Sequence, residues 1–347
     1  MQKFSISNDP EMYEAWPDVA MTSDGGMVTV FSECTHHRDR SYTRIMYTHS
    51  YDRGRSWSRK LPLTEGTLGL PYYYNCARIS RLADGRLAVI VDRIRRDGRE
   101  DTPGGSEVLI YFSADEGHSW SEPAVTPLDG IVPERLTELD NGRWLISAHH
   151  RENGLLAQFL HFSDDQGRNW SPAVKLASSP VLNLCEVSLI PLGKGTVAAL
   201  LRENSGRGLD CMKTISRDNG ETWEPLCEFP LPGCHRPTGG LLADGKVLVT
   251  YRFLQGGRGG WLSNRCQNFF AALSDVESLL APSREGAAVR ILPVDFDRSP
   301  FADLGYSGWV EFPDGEIYIV SYIVDDAWDR AQIRGYSLTR SDFLLTR

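Results

Sequence analysis

Apolar residues fall in short runs along most of the chain, and each run is entered through a tight turn. Asp24-Gly25-Gly26 leads into Met27-Val28-Thr29-Val30-Phe31, and Asp84-Gly85 leads into Arg86 to Val91. The same unit returns at Asn141-Gly142 to Ala148, Lys194-Gly195 to Leu201, Asp244-Gly245 to Tyr251 and Asp314-Gly315 to Ser321. Asp or Asn followed by Gly, then Val, Ile, Leu and Ala, predicts a hairpin between two strands of one sheet. Apart from a possible turn of helix near Asp275 to Leu280, the pattern predicts only strands.

A second repeat overlies the first. Ser-x-Asp-x-Gly-x-x-Trp occurs from Ser50 to Trp57, Ser113 to Trp120, Ser163 to Trp170 and Ser216 to Trp223. Its aspartates (Asp52, Asp115, Asp165 and Asp218) are 63, 50 and 53 residues apart, at the upper edge of propeller repeats. In this turn Asp and Ser would accept backbone N–H bonds, Gly would take a positive φ, and Trp would pack between units. Two further units keep only Ser274-Asp275 and the Thr339 to Asp342 region. Six units consume residues 1–347, so the expected fold is all-β: one six-bladed β-propeller domain of four-stranded antiparallel blades. Phe4 to Ser7 is expected to close the ring against the last blade.

The hairpin serves as a ruler. Counting about seven residues past the turn glycine reaches Glu33, Asp92, His149, Arg202, Arg252 and Tyr322. Counting about seven back reaches Asp18, Arg78, Arg135, Glu186, Thr238 and Gly308, with slack in blades one and four. Both sets belong on one face of the ring. Ionisable groups gathered there are costly unless they pair or hold a ligand, which predicts a polar ligand site.

Composition narrows the partners. With 347 residues, 41% apolar and 24% charged, the chain has the make-up of a globular protein. Its net charge of −9 argues against nucleic acid or an anionic membrane as the main partner. The first residues lack a leader-like apolar run, and no stretch has membrane-helix length. The seven cysteines are scattered without Cys-x-x-Cys spacing, so no zinc site or redox dithiol is expected, and a cytoplasmic location is. The pairs His36-His37 and His149-His150 do not change this. Neighbours on a strand point to opposite faces, so neither a metal nor a cofactor is expected.

The repeat resembles the Asp-box of the sialidase (neuraminidase) superfamily of BNR-repeat proteins, where it lies at the blade periphery away from the active site. The resemblance implies an exo-glycosidase that retains configuration, with an acidic sugar or oligosaccharide as substrate and no cofactor. Asn183-Leu184-Cys185-Glu186 looks like the segment carrying the family's glutamate, and Gly305-Tyr306-Ser307 like that of its tyrosine nucleophile. Arg202 and Arg265 resemble two members of the family's arginine triad. Asp39 lies where the family keeps its acid/base aspartate. A tyrosine with an ordinary pKa near 10 is a poor nucleophile, so Glu186 would accept its proton. Asp39 would protonate the leaving oxygen, and the arginines would hold a carboxylate. The first-blade motif Phe-Arg-Ile-Pro is replaced by Glu14-Ala15-Trp16-Pro17, so the first triad arginine is missing, and Arg78 is a possible substitute. Arg252, His37 and His149 complete the expected substrate-binding set. A lyase acting on uronates and a non-catalytic sugar-binding propeller are the alternatives.

Overall fold

The computed structural model describes residues 1–254 and 267–344. Six four-stranded antiparallel sheets follow one another along the chain. Five are built from consecutive strands, while the sixth takes its outermost strand from the N-terminus, Gln2–Ser7, paired with Gln332–Leu338. That pairing closes the ring and covers the edge that Gln332–Leu338 would otherwise leave unpaired. All six predicted hairpins join the first and second strands of a blade, with Gly25, Gly85, Gly142, Gly195, Gly245 and Gly315 at φ between 78° and 91°.

The blades stack through six apolar layers, one at each junction. Val30, Ile45, Ala77 and Val89 join blades one and two, and Ile90, Ile110, Trp144 and Ile146 join two and three. Equivalent layers complete the circle, ending with Val19, Met27, Tyr318 and Val320 between six and one. The inner strands thus bury both faces, which explains why their cores read as nearly continuous apolar runs.

The Asp-boxes connect the third and fourth strands of blades one to four. In the first, Ser56 N–H donates to Asp52 Oδ1 at 2.8 Å and Gly54 N–H donates to Ser50 Oγ at 2.8 Å. Gly54 is required: a Cβ there would come within 2.1 Å of the Tyr318 ring of blade six. Trp57 packs on the same ring, centroids 6.2 Å apart. In blades five and six short helices stand in place of the box: Val276–Leu280 capped by Asp275, and Arg340–Phe343 capped by Thr339. The Asp-box is therefore a turn and an inter-blade clamp. Asp52→Ala is expected to lower stability by roughly 1–3 kcal/mol with little change in any activity, measured by urea melts beside initial rates. Loss of activity in a folded variant would contradict the structural role.

Candidate functional site

Each blade's first strand is interrupted near its start on the same face of the ring. In blades one, two, four, five and six the register with the second strand slips between Ala15 and Asp18, Tyr74 and Ala77, Cys185 and Ser188, His235 and Thr238, and Gly305 and Ser307. In blade three Ile131 bridges His149, and Glu134 N–H next reaches Ser147 O. Five of these six bulges hold a non-glycine residue at positive φ: Trp16 (54°), Val132 (53°), Glu186 (51°), Arg236 (49°) and Tyr306 (38°). A bulge re-aims a side chain, and left-handed backbone costs of order 1–3 kcal/mol per residue. Repeated around a ring, such strain points to function. In blade two Asn75 and Cys76 fill the bulge without it, held by the buried Asp92 carboxylate.

The bulges aim their residues at a common bowl. Blades one to three supply Trp16, Cys76 and Val132, which pack in one cluster with Tyr306. Blades four to six supply Glu186, Arg236 and Tyr306. One half of the bowl is apolar and the other is charged.

In the charged half the Tyr306 hydroxyl donates to Glu186 Oε1. Arg202, on the strand beside Glu186, donates to the same oxygen at 2.7 Å. The guanidinium carbons of Arg236 and Arg252 each lie 5.5 Å from the Tyr306 ring centre. Arg252 can approach because residue 305 is glycine, where a Cβ would sit 2.4 Å from Arg252 Cβ. All five side chains are largely or wholly buried. Burial alone would raise the Glu186 carboxyl, but Arg202, Arg252 and Arg236 hold it well below the usual carboxylate range. Burial, reinforced by the Glu186 charge, pushes the Tyr306 phenol well above its usual value. The resting pair is a carboxylate and a neutral phenol.

Among the described residues, several buried polar atoms here have no hydrogen-bond partner: Glu186 Oε2, Arg202 Nε, Arg236 Nε and Nη1, and Arg252 Nε. Native proteins rarely leave such groups unmet. Donors from three guanidinium groups around one phenol match an anionic ligand group.

Of the residues expected from the sequence, the structure brings together Tyr306, Glu186, Arg202 and Arg252. Arg265 lies outside the described residues. Arg78 sits deeper, fully buried beneath the bowl, ion-paired with Asp18 at 3.3 Å and donating to Ser307 O at 2.8 Å. It shares the Asp18 carboxylate with Arg135 and, being buried, is not available to a substrate. Arg78 counts two residues past its bulge, whereas Glu186 lies on one. His149 is a support: its Nδ1 accepts the Glu186 N–H at 3.3 Å, and burial lowers its pKa to about 3. Asp39 starts the outer arm of an exposed hairpin, with its carboxylate turned back to Ser41 N–H at 2.9 Å. The structure does not join it to the cluster. His37, at the tip of that hairpin, meets the partly buried Asp303 through Nδ1.

Sequence reasoning missed Arg236, Asp303 and Arg40. Arg40 lies over the Trp16 ring at 3.9 Å, bringing a cation to the blade that lacks the family arginine. A signal for Arg236 exists, since Cys76, Glu186, Arg236 and Tyr306 all lie nine positions before their turn glycines. The described residues contain one trio of carboxylates close enough to share a metal: Asp9, Glu14 and Glu33. Lys60 Nζ occupies it, at 2.9, 2.6 and 2.6 Å.

Comparison with known proteins agrees with this architecture. The family described as BNR repeat-like domain matches residues 80–258. A sialidase from Clostridium perfringens is 24% identical over 224 residues, covering 60% of this chain and 47% of its own. The chain thus spans about half the length of the curated relatives it matches. Among solved structures, a protein of unknown function from Dyadobacter fermentans superposes with a TM-score of 0.76 at 21% identity, covering 98% of both chains. The intramolecular trans-sialidase from Ruminococcus gnavus superposes at 0.68 and 13% identity, covering 96% of both. These likenesses below 25% speak to the fold. With the repeat, the closed ring and the match over half of its residues, the chain belongs to the BNR repeat-like domain family, within the sialidase superfamily.

Proposed function

We propose that the bowl is the active site of a sialidase-like exo-glycosidase acting on sialic acid or a related acidic sugar. The observation that carries this reading is the Tyr306 hydroxyl donating to Glu186 within reach of three arginines. The sugar carboxylate would lie against the free guanidinium edges of Arg202, Arg236 and Arg252, with the ring's apolar face toward Trp16 and Val132. That carboxylate would draw on the same cations that hold Glu186 ionised, and its negative charge would raise the basicity of Glu186. Substrate binding would thereby prepare the proton transfer. The Tyr306 oxygen would bond to the anomeric carbon while its proton passes to Glu186, and the glycosidic C–O bond would break with its electron pair on the departing oxygen. Water would then bond to the anomeric carbon as the Tyr306 oxygen departs and takes its proton back from Glu186. The water proton would pass by way of the acid/base group to the oxygen that left in the first step, and the sugar would be released with retained configuration. A neutral phenol suits this role because it meets an anionic sugar without the repulsion a carboxylate would face.

A panel of aryl α-sialosides and aryl uronides tests the reading. Release of the phenol is expected with at least one acidic glycone. An unsaturated product absorbing in the ultraviolet would replace hydrolysis with elimination, and saturable binding without turnover would leave a sugar-binding propeller.

A further inference from the structure

We propose that His37, oriented by Asp303, is the group that protonates the leaving oxygen and later activates water; this rests on the glycosidase reading above. His37 sits at the tip of the hairpin between the second and third strands of blade one, on the rim of the bowl. Its ring packs edge-on against Trp16, with centroids 5.3 Å apart, and Trp16 packs on Tyr322 at 5.9 Å. Tyr322 in turn meets the Tyr306 ring at 6.4 Å. His37 and the nucleophile therefore flank one aromatic wall.

Asp303 has the features of an orienting group. Its side chain is 13% exposed, and it accepts from the hydroxyls of Tyr13 and Tyr322, the latter at 2.8 Å. Arg252 lies 3.6 Å away, so the carboxylate is charge-balanced within the site. A carboxylate so well supplied does not need His37. The His37 side chain is 41% exposed, and fixing it costs conformational entropy that a purely surface role would not repay. With Nδ1 facing Asp303, Nε2 is the nitrogen left to exchange a proton, and it has no protein partner among the described residues. Arg40 anchors the turn by donating to His37 O at 3.0 Å.

In the first step the Nε2 proton would pass to the glycosidic oxygen as that atom takes the electron pair of the breaking bond. In the second step Nε2 would take a proton from water as the water oxygen bonds to the anomeric carbon, Tyr306 departs and Glu186 returns its proton. Asp303 holds the ring in place and is a positioning residue.

Leaving-group dependence reads this role directly. His37→Ala should lose roughly 10²–10⁴-fold on a substrate whose leaving group is a sugar alcohol, yet lose less than about 10-fold with an acidic nitrophenol leaving group that needs no proton. Azide should accelerate the variant on the nitrophenyl substrate, because a small anion needs no base. Asp303→Asn should show the same pattern more weakly. Equal loss on both leaving groups, no loss on either, or the leaving-group signature at Asp39→Ala instead would overturn the proposal. If the wild-type protein hydrolyses neither substrate, the glycosidase reading falls and the role falls with it. Hydrolysis without the signature removes the dyad alone.

Discussion

Tyr306→Phe is expected to reduce turnover by roughly 10³-fold or more while folding and sugar affinity stay close to wild type. The substitution removes one oxygen and leaves the ring beside Arg236 and Arg252. Glu186 keeps its 2.7 Å bond from Arg202, so no carboxylate is stranded. The arginines that would bind the substrate carboxylate are untouched. What disappears is the atom that bonds to the anomeric carbon, an interaction made only along the reaction path. Initial rates, equilibrium binding of the free sugar and a thermal melt separate these effects. Substantial residual turnover would remove Tyr306 from the nucleophile role, whereas lost binding with unchanged turnover would make it a specificity residue.

Glu186→Gln should be the next most damaging change, with a loss of roughly 10²–10⁴-fold in turnover. Glutamine can still accept from Tyr306 and Arg202, but it cannot take up the phenol proton. It also removes the negative charge that Arg202, Arg236 and Arg252 share, so a loss of stability of up to about 3–5 kcal/mol is expected. The variant should differ in its response to acid as well. The Glu186 carboxyl is held below its unfolded value, so its contribution to stability is fully present above about pH 4.3 and is lost as the pH falls toward the folded value. Glu186→Gln has no such contribution to lose, and its melting midpoint should fall less steeply than wild type below about pH 5. Parallel acid slopes would mean that the three arginines do not hold Glu186 ionised.

The architecture was legible in the sequence because two turn chemistries repeat with it. Asp-Gly hairpins and Asp-boxes each need particular residues, and both recur at blade spacing, so the six blades, the hairpin positions and the closing N-terminal strand could all be read in advance. The outermost strand of blade five was harder, because a short helix replaces the box before it. The site was legible only in part. Glu186 and Tyr306 lie in recognisable segments, and Arg202 and Arg252 end second strands, where a count from the turn glycine works. The first strands defeat that count because each contains a bulge. Extra residues in the bulge shift everything nearer the strand start, so the count places Arg78 at the level of Glu186 although it lies two residues past its bulge. The same count skips Arg236, although it holds in blade five the position of Glu186 in blade four. Asp303 and His37 meet across 266 residues of sequence, a contact created by ring closure that no local pattern records. Asp39 and His37 share one hairpin, and only the fold shows that His37 is the one turned toward the neighbouring blade.

The proposed mechanism requires the Tyr306 oxygen to be aimed at the anomeric carbon of an acidic sugar held by the arginines of blades four and five. Incubation with a 3-fluorosialosyl fluoride, whose second fluorine slows release of the glycosyl-enzyme, followed by intact-mass and peptide mapping, examines that point directly. A single glycosyl adduct on the peptide containing Tyr306, absent in Tyr306→Phe, is the predicted result. An adduct on another residue, or continued turnover of the fluoride with no adduct on Tyr306 at any time, would contradict it.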